Sequence, residues 1–275
     1  MNERQQYEHV LSKVPAVTLG FWVTKILATT LGETGGDTVT MSWLGETSEN
    51  AVTGGYLIGT AIFGLLLVAL VLAQIPANKF KPCLYWATIV ASTTCGTTLA
   101  DFADRSLGIG YPGGSLLLLA CVLASLFAWH RTLGTVNVNT VTSPREETFY
   151  WITITFSQTL GTALGDWSAD DLSEGGWGLG YSNAALVFGA GLAIFAILYF
   201  TSRKVSHVFL FWAAFILTRP LGATVGDFLD KPLAKGGLEM SRPFASAVLA
   251  VVIVLLILIL PQRPGRHPGQ AETVA

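Results

Sequence analysis

Long apolar stretches alternate with short polar ones from one end of this chain to the other. At about 20 apolar residues per membrane crossing, the pattern predicts eight helices, at roughly 14 to 37, 52 to 75, 82 to 104, 113 to 130, 148 to 168, 181 to 200, 206 to 229 and 243 to 261. Even-numbered helices, such as AIFGLLLVALVLA at 61 to 73, are uniformly aliphatic and read as lipid-facing. Odd-numbered helices carry polar residues at helical spacing.

Each odd helix carries, near its C-terminal end, a variant of one phrase: GETGGD at 32 to 37, GTTLAD at 96 to 101, GTALGD at 161 to 166 and GATVGD at 222 to 227. The closing aspartates, Asp37, Asp101, Asp166 and Asp227, recur at intervals of about 64 residues, which marks a structural repeat. The expected fold is therefore an all-α membrane protein: eight transmembrane helices arranged as four parallel helical-hairpin repeats, at 14–75, 82–130, 148–200 and 206–261. Polar cytoplasmic tails are expected at 1–13 and 262–275. Pro15 suits the first turn of the first helix.

Composition agrees with this: 51% of the 275 residues are apolar and 12% charged, outside the globular average. A net charge of −2 points to no nucleic acid partner. Cys83, Cys95 and Cys121 show no CxxC spacing, and the four histidines show no metal-ligand spacing, so neither a disulfide framework nor a zinc site is indicated. Lys and Arg concentrate in the tails and in the segments joining the hairpins, which places both termini in the cytoplasm and the phrase aspartates at the outer face.

On a helix the phrase separates into two faces. Gly32 with Gly36, Gly96 with Ala100, Gly161 with Gly165 and Gly222 with Gly226 form small-xxx-small pairs, which let helix backbones approach closely. The adjacent face carries Glu33, the hydroxyls of Thr30, Thr34, Thr94, Thr98, Thr159, Thr162 and Thr224, and the four aspartates. Together these read as a cation path, with carboxylates attracting an ion and hydroxyls replacing its water. All-oxygen ligands favour a hard ion. The carboxylate pairs Asp101 with Asp104 and Asp227 with Asp230 have a spacing that suits a metal. The competing reading makes the same stripe helix-packing glue in a structural or stress-sensing membrane protein.

Lys25 and Arg219 stand about halfway along helices 1 and 7, where a charge costs about 2.5 kcal/mol or more and faces a partner or a water-filled cavity. They and Gln158 are candidates for gating. Gln158 and Arg219 hold the same place in their repeats, three residues before the glycine. An enzyme is not expected, because no nucleophile elbow and no intramembrane histidine is present. No cofactor is implied beyond a bound divalent cation; the lipid bilayer and a small inorganic cation are the expected partners, and self-association is left open. The aromatic pairs Phe21 and Trp22, Tyr85 and Trp86, Tyr150 and Trp151, and Phe211 and Trp212 open the odd helices and read as an interfacial belt.

With KVPAVTLGFWVTKIL at 13 to 27, RTLGTVNVNTVTSPREETFYW at 131 to 151 and TRPLGATVGD at 218 to 227, the chain resembles, over nearly its whole length, a family of bacterial integral membrane proteins described as uncharacterised and membrane-anchored. The resemblance implies a bacterial cytoplasmic (inner) membrane setting. It implies no activity and assigns no functional residues.

Overall fold

In a computed structural model of the chain, residues 11–46, 54–202 and 204–266 are described. Most of both predicted tails, and the start of the second predicted helix, lie outside them. Eight α-helices fill the described residues: α1 (Leu19–Asp37), α2 (Gly55–Gln74), α3 (Pro82–Asp101), α4 (Tyr111–Leu133), α5 (Pro144–Ala169), α6 (Tyr181–Thr201), α7 (His207–Asp230) and α8 (Arg242–Ile259). Four of the starts carry a side-chain cap. Thr18, Ser206 and Ser241 accept a hydrogen bond from a first-turn N–H of α1, α7 and α8, and Ser143 with Glu146 forms a reciprocal capping box on α5. α1 and α3 continue past their aspartates as π-helical turns, Thr38–Trp43 and Phe102–Ser106.

The phrase-bearing helices α1, α3, α5 and α7 form a closed inner ring, each packed on the next and α7 on α1. The other four helices lie outside. They do not form compact hairpins with the first helix of their own repeat. Each instead packs on the ring helix of the following repeat, α2 on α3, α4 on α5 and α6 on α7, and α8 closes the circle on α1. The repeat in sequence is thus half a step out of phase with the packing unit in space.

The small-xxx-small faces determine how closely the ring closes. A Cβ on Gly32 would run into Thr93 of α3, one on Gly96 would lie 2.9 Å from main-chain atoms of Gln158 and Thr159 of α5, one on Gly161 would overlap Arg219 of α7, and one on Gly222 would lie 2.8 Å from main-chain carbon of Thr29 of α1. The second small residue of each pair faces the same neighbour: Gly36 meets Thr97, Gly165 meets Ala223 and Gly226 meets Glu33, while Ala100 is 1% exposed. The residue three before each glycine therefore covers the glycine of the preceding repeat, all the way round.

Five helices, α2, α4, α6, α7 and α8, are long and apolar enough to cross a membrane. The outer surface is correspondingly greasy, with Leu65, Leu116, Leu186 and Leu258 largely exposed.

One end of the bundle is closed by a clasp. Strand β1 (Leu11–Pro15) pairs antiparallel with β2 (Pro264–Arg266), and Lys13 N–H donates to Val141 O of the α4–α5 connection at 2.8 Å. Ser12, Lys13 and Val14 are buried, and Lys13 Nζ lies 2.7 Å from Glu147. Pro15 therefore belongs to a strand, and α1 begins four residues later. Beneath the clasp the aromatic pairs do not form a lipid-facing belt. Phe21, Tyr85, Trp86, Tyr150, Trp151, Phe211 and Trp212 are buried in a single cluster, with Tyr85 and Tyr150 hydroxyls 2.6 Å apart, and Trp86 and Trp212 donate to Gln262 and to Val136 O of the clasp. Rings amphipathic enough for a membrane interface serve equally well to seal a core under a polar lid.

Candidate functional site: the charged axis of the ring

Corresponding positions on the four ring helices stack into layers along the axis. Seven residues before the phrase glycine stand Lys25, Ile89, Ile154 and Phe215, all fully buried. Next come Thr29, Thr93, Gln158 and Arg219, then Glu33, Thr97, Thr162 and Ala223, then the four aspartates, and one turn further Met41, Arg105, Asp170 and Lys231.

Arg219 ties the ring together. From α7 its Nη2 reaches Glu33 Oε2 of α1 at 3.0 Å, Thr97 Oγ1 of α3 and Thr162 Oγ1 of α5, while its Nη1 lies 3.4 Å from Thr29 O. One fully buried guanidinium thus contacts all three other ring helices. Its planar fork of donors suits that geometry in a way a lysine could not.

Beyond it the carboxylates converge. Glu33, Asp166 and Asp227 each place an oxygen within 4.8 Å of the others, and so do Asp37, Asp227 and Asp230. Two cations from the turns sit among them. Arg105 Nε is 3.1 Å from Asp101 and its Nη2 is 3.5 Å from Asp166. Lys231 Nζ is 2.9 Å from Asp37 and 3.0 Å from Asp227, and Arg242 Nε lies 3.5 Å from Asp230. Burial works to lower the affinity of Lys231 for its proton, but Asp227, Asp37 and Asp230 more than offset it and hold the ammonium well above the ordinary lysine range.

A vestibule of about 630 Å³ opens above this layer, lined by Arg105, Tyr111, Asp170, Tyr181, Lys231 and Arg242 among others. Tyr111 and Tyr181 donate to the two oxygens of Asp170 at 2.6 and 3.2 Å. Asp104 also borders the vestibule, and burial pushes its carboxyl up to about 6 against the opposing pull of Arg105.

The hydroxyl stripe is narrower than the sequence spacing suggests. Of the seven expected path threonines, Thr162 bonds the axial arginine. Thr30, Thr94, Thr159 and Thr224 donate back to their own helices, at Ile26, Val90, Thr155 and Pro220 carbonyls. Thr34 accepts from Ser246 of α8, and Thr98 donates to Cys95 O and abuts Gly59 of α2. Position two of the phrase and the aspartate are four residues apart and share a face; Thr34 and Thr98, at position three, reach the outer helices α8 and α2. Thr97, at position two, belongs to the axis for that reason.

Asp104 is in neither of the three-carboxylate groups found among the described residues. It belongs to the π-helical turn, its Oδ1 turned toward Gly114 of α4, while Asp101 is drawn to Arg105. Asp230 does join Asp227, with Asp37 completing the group. Gln158 is fully buried, and both its amide atoms are unpartnered among the described residues. Arg105 and Lys231 carry a legible signal: each stands four residues after a phrase aspartate, one turn up the same helical face.

The fold and site define a four-repeat helical ring with a charged axis. The chain belongs to the family described as Repeat of Unknown Function (DUF347), which it matches four times, at residues 20–80, 84–135, 149–204 and 210–263. No curated protein and no solved structure matches it.

Proposed function

We propose that the four repeats form an eight-span bundle of the bacterial cytoplasmic membrane, both termini cytoplasmic, that binds a hard cation at its axis and moves it across, a divalent metal ion being favoured. The convergence of Glu33, Asp166 and Asp227 within 4.8 Å carries the reading: carboxylates from three helices of a ring meet where a single ion can bridge them. Buried carboxylates on and around the axis, with Asp170 and Asp230 added to the phrase acids, outnumber the cations Arg219, Arg105, Lys231 and Arg242 that face them. A dehydrated cation offsets that excess. The three helices less apolar than a typical span, α1, α3 and α5, are the ones whose polar residues turn to the axis behind an apolar jacket, which supports eight crossings rather than five.

The pairing of Arg105 and Lys231 with the phrase aspartates favours a second reading, a non-transporting structural or stress-sensing membrane protein whose charges hold the ring closed. Flux of Mg²⁺, Mn²⁺, Ca²⁺ and Na⁺ into liposomes holding the purified chain separates the two. Cation transport requires flux of at least one ion that Asp166→Asn and Asp227→Asn reduce. Equal flux in all three proteins removes the aspartates from the path, and no flux of any ion leaves the structural reading.

A further inference from the structure

Lys25 is left without a counter-charge by the packing around it. Lys25 is fully buried and its Nζ has no hydrogen-bond partner among the described residues; it lies over the Phe215 ring, whose centroid is 4.3 Å away. The corresponding positions of the other ring helices hold Ile89, Ile154 and Phe215, so an ammonium occupies what is otherwise an apolar plug. A desolvated cation–π contact offsets only a small part of the cost of an isolated ammonium in apolar surroundings.

The groups facing this depth make the charge conditional. From α7 comes Arg219, which repels it. Glu33, two turns along α1 itself, is engaged by Arg219. Tyr85 of α3 and Tyr150 of α5, one turn toward the clasp, are engaged with each other, and α8 contributes the aliphatic Ile253 to the same cluster. Among the described residues nothing at that level neutralises the ammonium. Glu33 therefore acts on Nζ through the guanidinium whose charge it answers.

We propose that Lys25 Nζ is a proton-binding site coupled to the carboxylate centre, so that a cation entering between Glu33, Asp166 and Asp227 displaces one proton from Lys25. This rests on the cation reading above. An ion bound to Glu33 takes up the carboxylate charge that had answered Arg219. The field of the guanidinium then falls on Lys25, the N–H bond breaks, the proton passes to water, and the lone pair stays on a neutral amine. A monovalent ion is exchanged without change of charge at the axis, and a divalent ion adds one net charge.

Calorimetric titration of the purified full chain in detergent with Mn²⁺, and separately with Na⁺, in buffers of differing protonation enthalpy, counts the protons released for each cation bound. The unmodified protein should release about one proton more than Lys25→Ile, and its apparent cation affinity should climb about tenfold more steeply for each unit of rising pH. Lys25→Ile should fold and bind, since isoleucine fills the same layer in repeats two and three, with Lys25→Met as an unbranched replacement. Lys25→Arg keeps its charge and should weaken cation binding. Equal proton release from the unmodified and Lys25→Ile proteins would put the protons on the carboxylates and overturn the proposal, as would binding with no release at all. Failure of the unmodified protein to bind either ion would instead overturn the cation reading, and the coupling with it.

Discussion

Arg219 Nη2 stands 3.0 Å from Glu33 Oε2, joining the fourth repeat to the first across the axis with both side chains sealed from solvent. Removing one member strands the other, at a cost of roughly 3–5 kcal/mol for a buried pair. Arg219→Met should be the worse single change, because it also leaves Thr97 and Thr162 without their shared donor. The double variant Glu33→Gln with Arg219→Met should recover part of the sum. Denaturant unfolding in detergent of the two single variants and the double gives the coupling energy directly; additive losses would show that the pair does not hold the ring.

Ser246 of α8 bonds Thr34 at 3.0 Å and lies 3.2 Å from Thr38, both at the C-terminal end of α1 or just beyond it, at the seam where the last repeat meets the first. Ser246→Ala should cost about 0.6–1.7 kcal/mol, the range for polar contacts between membrane helices. The more telling variant stops the chain before Arg242. Because α8 packs on α1 rather than on α7, this truncation should raise proteolytic accessibility at α1, the helix farthest from it in sequence. Enhanced cleavage confined to α7 would contradict the half-step packing.

Asp104 gives the vestibule a pH dependence of definite sign. Burial raises its carboxyl to about 6, above the ordinary aspartate value, so between the two values the folded state binds more protons than the unfolded one. Stability then falls as pH rises through that window, and the penalty is complete above it. Asp104→Asn should flatten this part of a profile of unfolding temperature against pH. Glu174, lowered chiefly by its hydrogen bond from Lys235, acts with the opposite sign: it adds stability above the ordinary glutamate range and loses it as pH falls below. Being exposed, that pair contributes little.

The repeat, the eight helices and the small-residue face can be read from the chain because each is a local periodicity. Neighbour relations cannot be read the same way. Nothing in the links after Asp37 or Asp101 says whether α2 returns to α1 or moves on to α3, and the aliphatic surfaces of α2 and α4 would pack on either. Glu33 and the aspartates can be placed on a common face, but their counter-ions Arg105 and Lys231 lie just past the expected helix ends at 104 and 229, where the pattern reads as turn. The π-helical turn Phe102–Ser106 carries α3 on to bring Arg105 over Asp101, whereas Lys231 reaches Asp227 as the extended C-cap of α7. The burial of the aromatic pairs is hidden for a related reason: only the folded clasp of β1, β2 and the α4–α5 connection shows that their end of the bundle is covered.

The sharpest test of the ring itself lies in two glycines whose surroundings differ. A Cβ added to Gly96 would lie 2.9 Å from main-chain atoms of Gln158 and Thr159, and a backbone held in a helix cannot step aside as a side-chain tip can. Gly96→Ala must therefore part α3 from α5, an overpacking cost of about 1–3 kcal/mol that also loosens the layer holding Thr97 and Arg219. Gly35 belongs to the first phrase but lies off its packing face, where an added Cβ would meet only Leu31 Cδ1, at 4.0 Å. Gly35→Ala should be neutral or stabilise α1 by up to about 1 kcal/mol through reduced backbone freedom in the unfolded chain. Unfolding temperatures of the two variants in detergent decide the matter. If both alanines are tolerated alike, close backbone approach is not what closes the ring, and the convergence of carboxylates at its axis would need another cause.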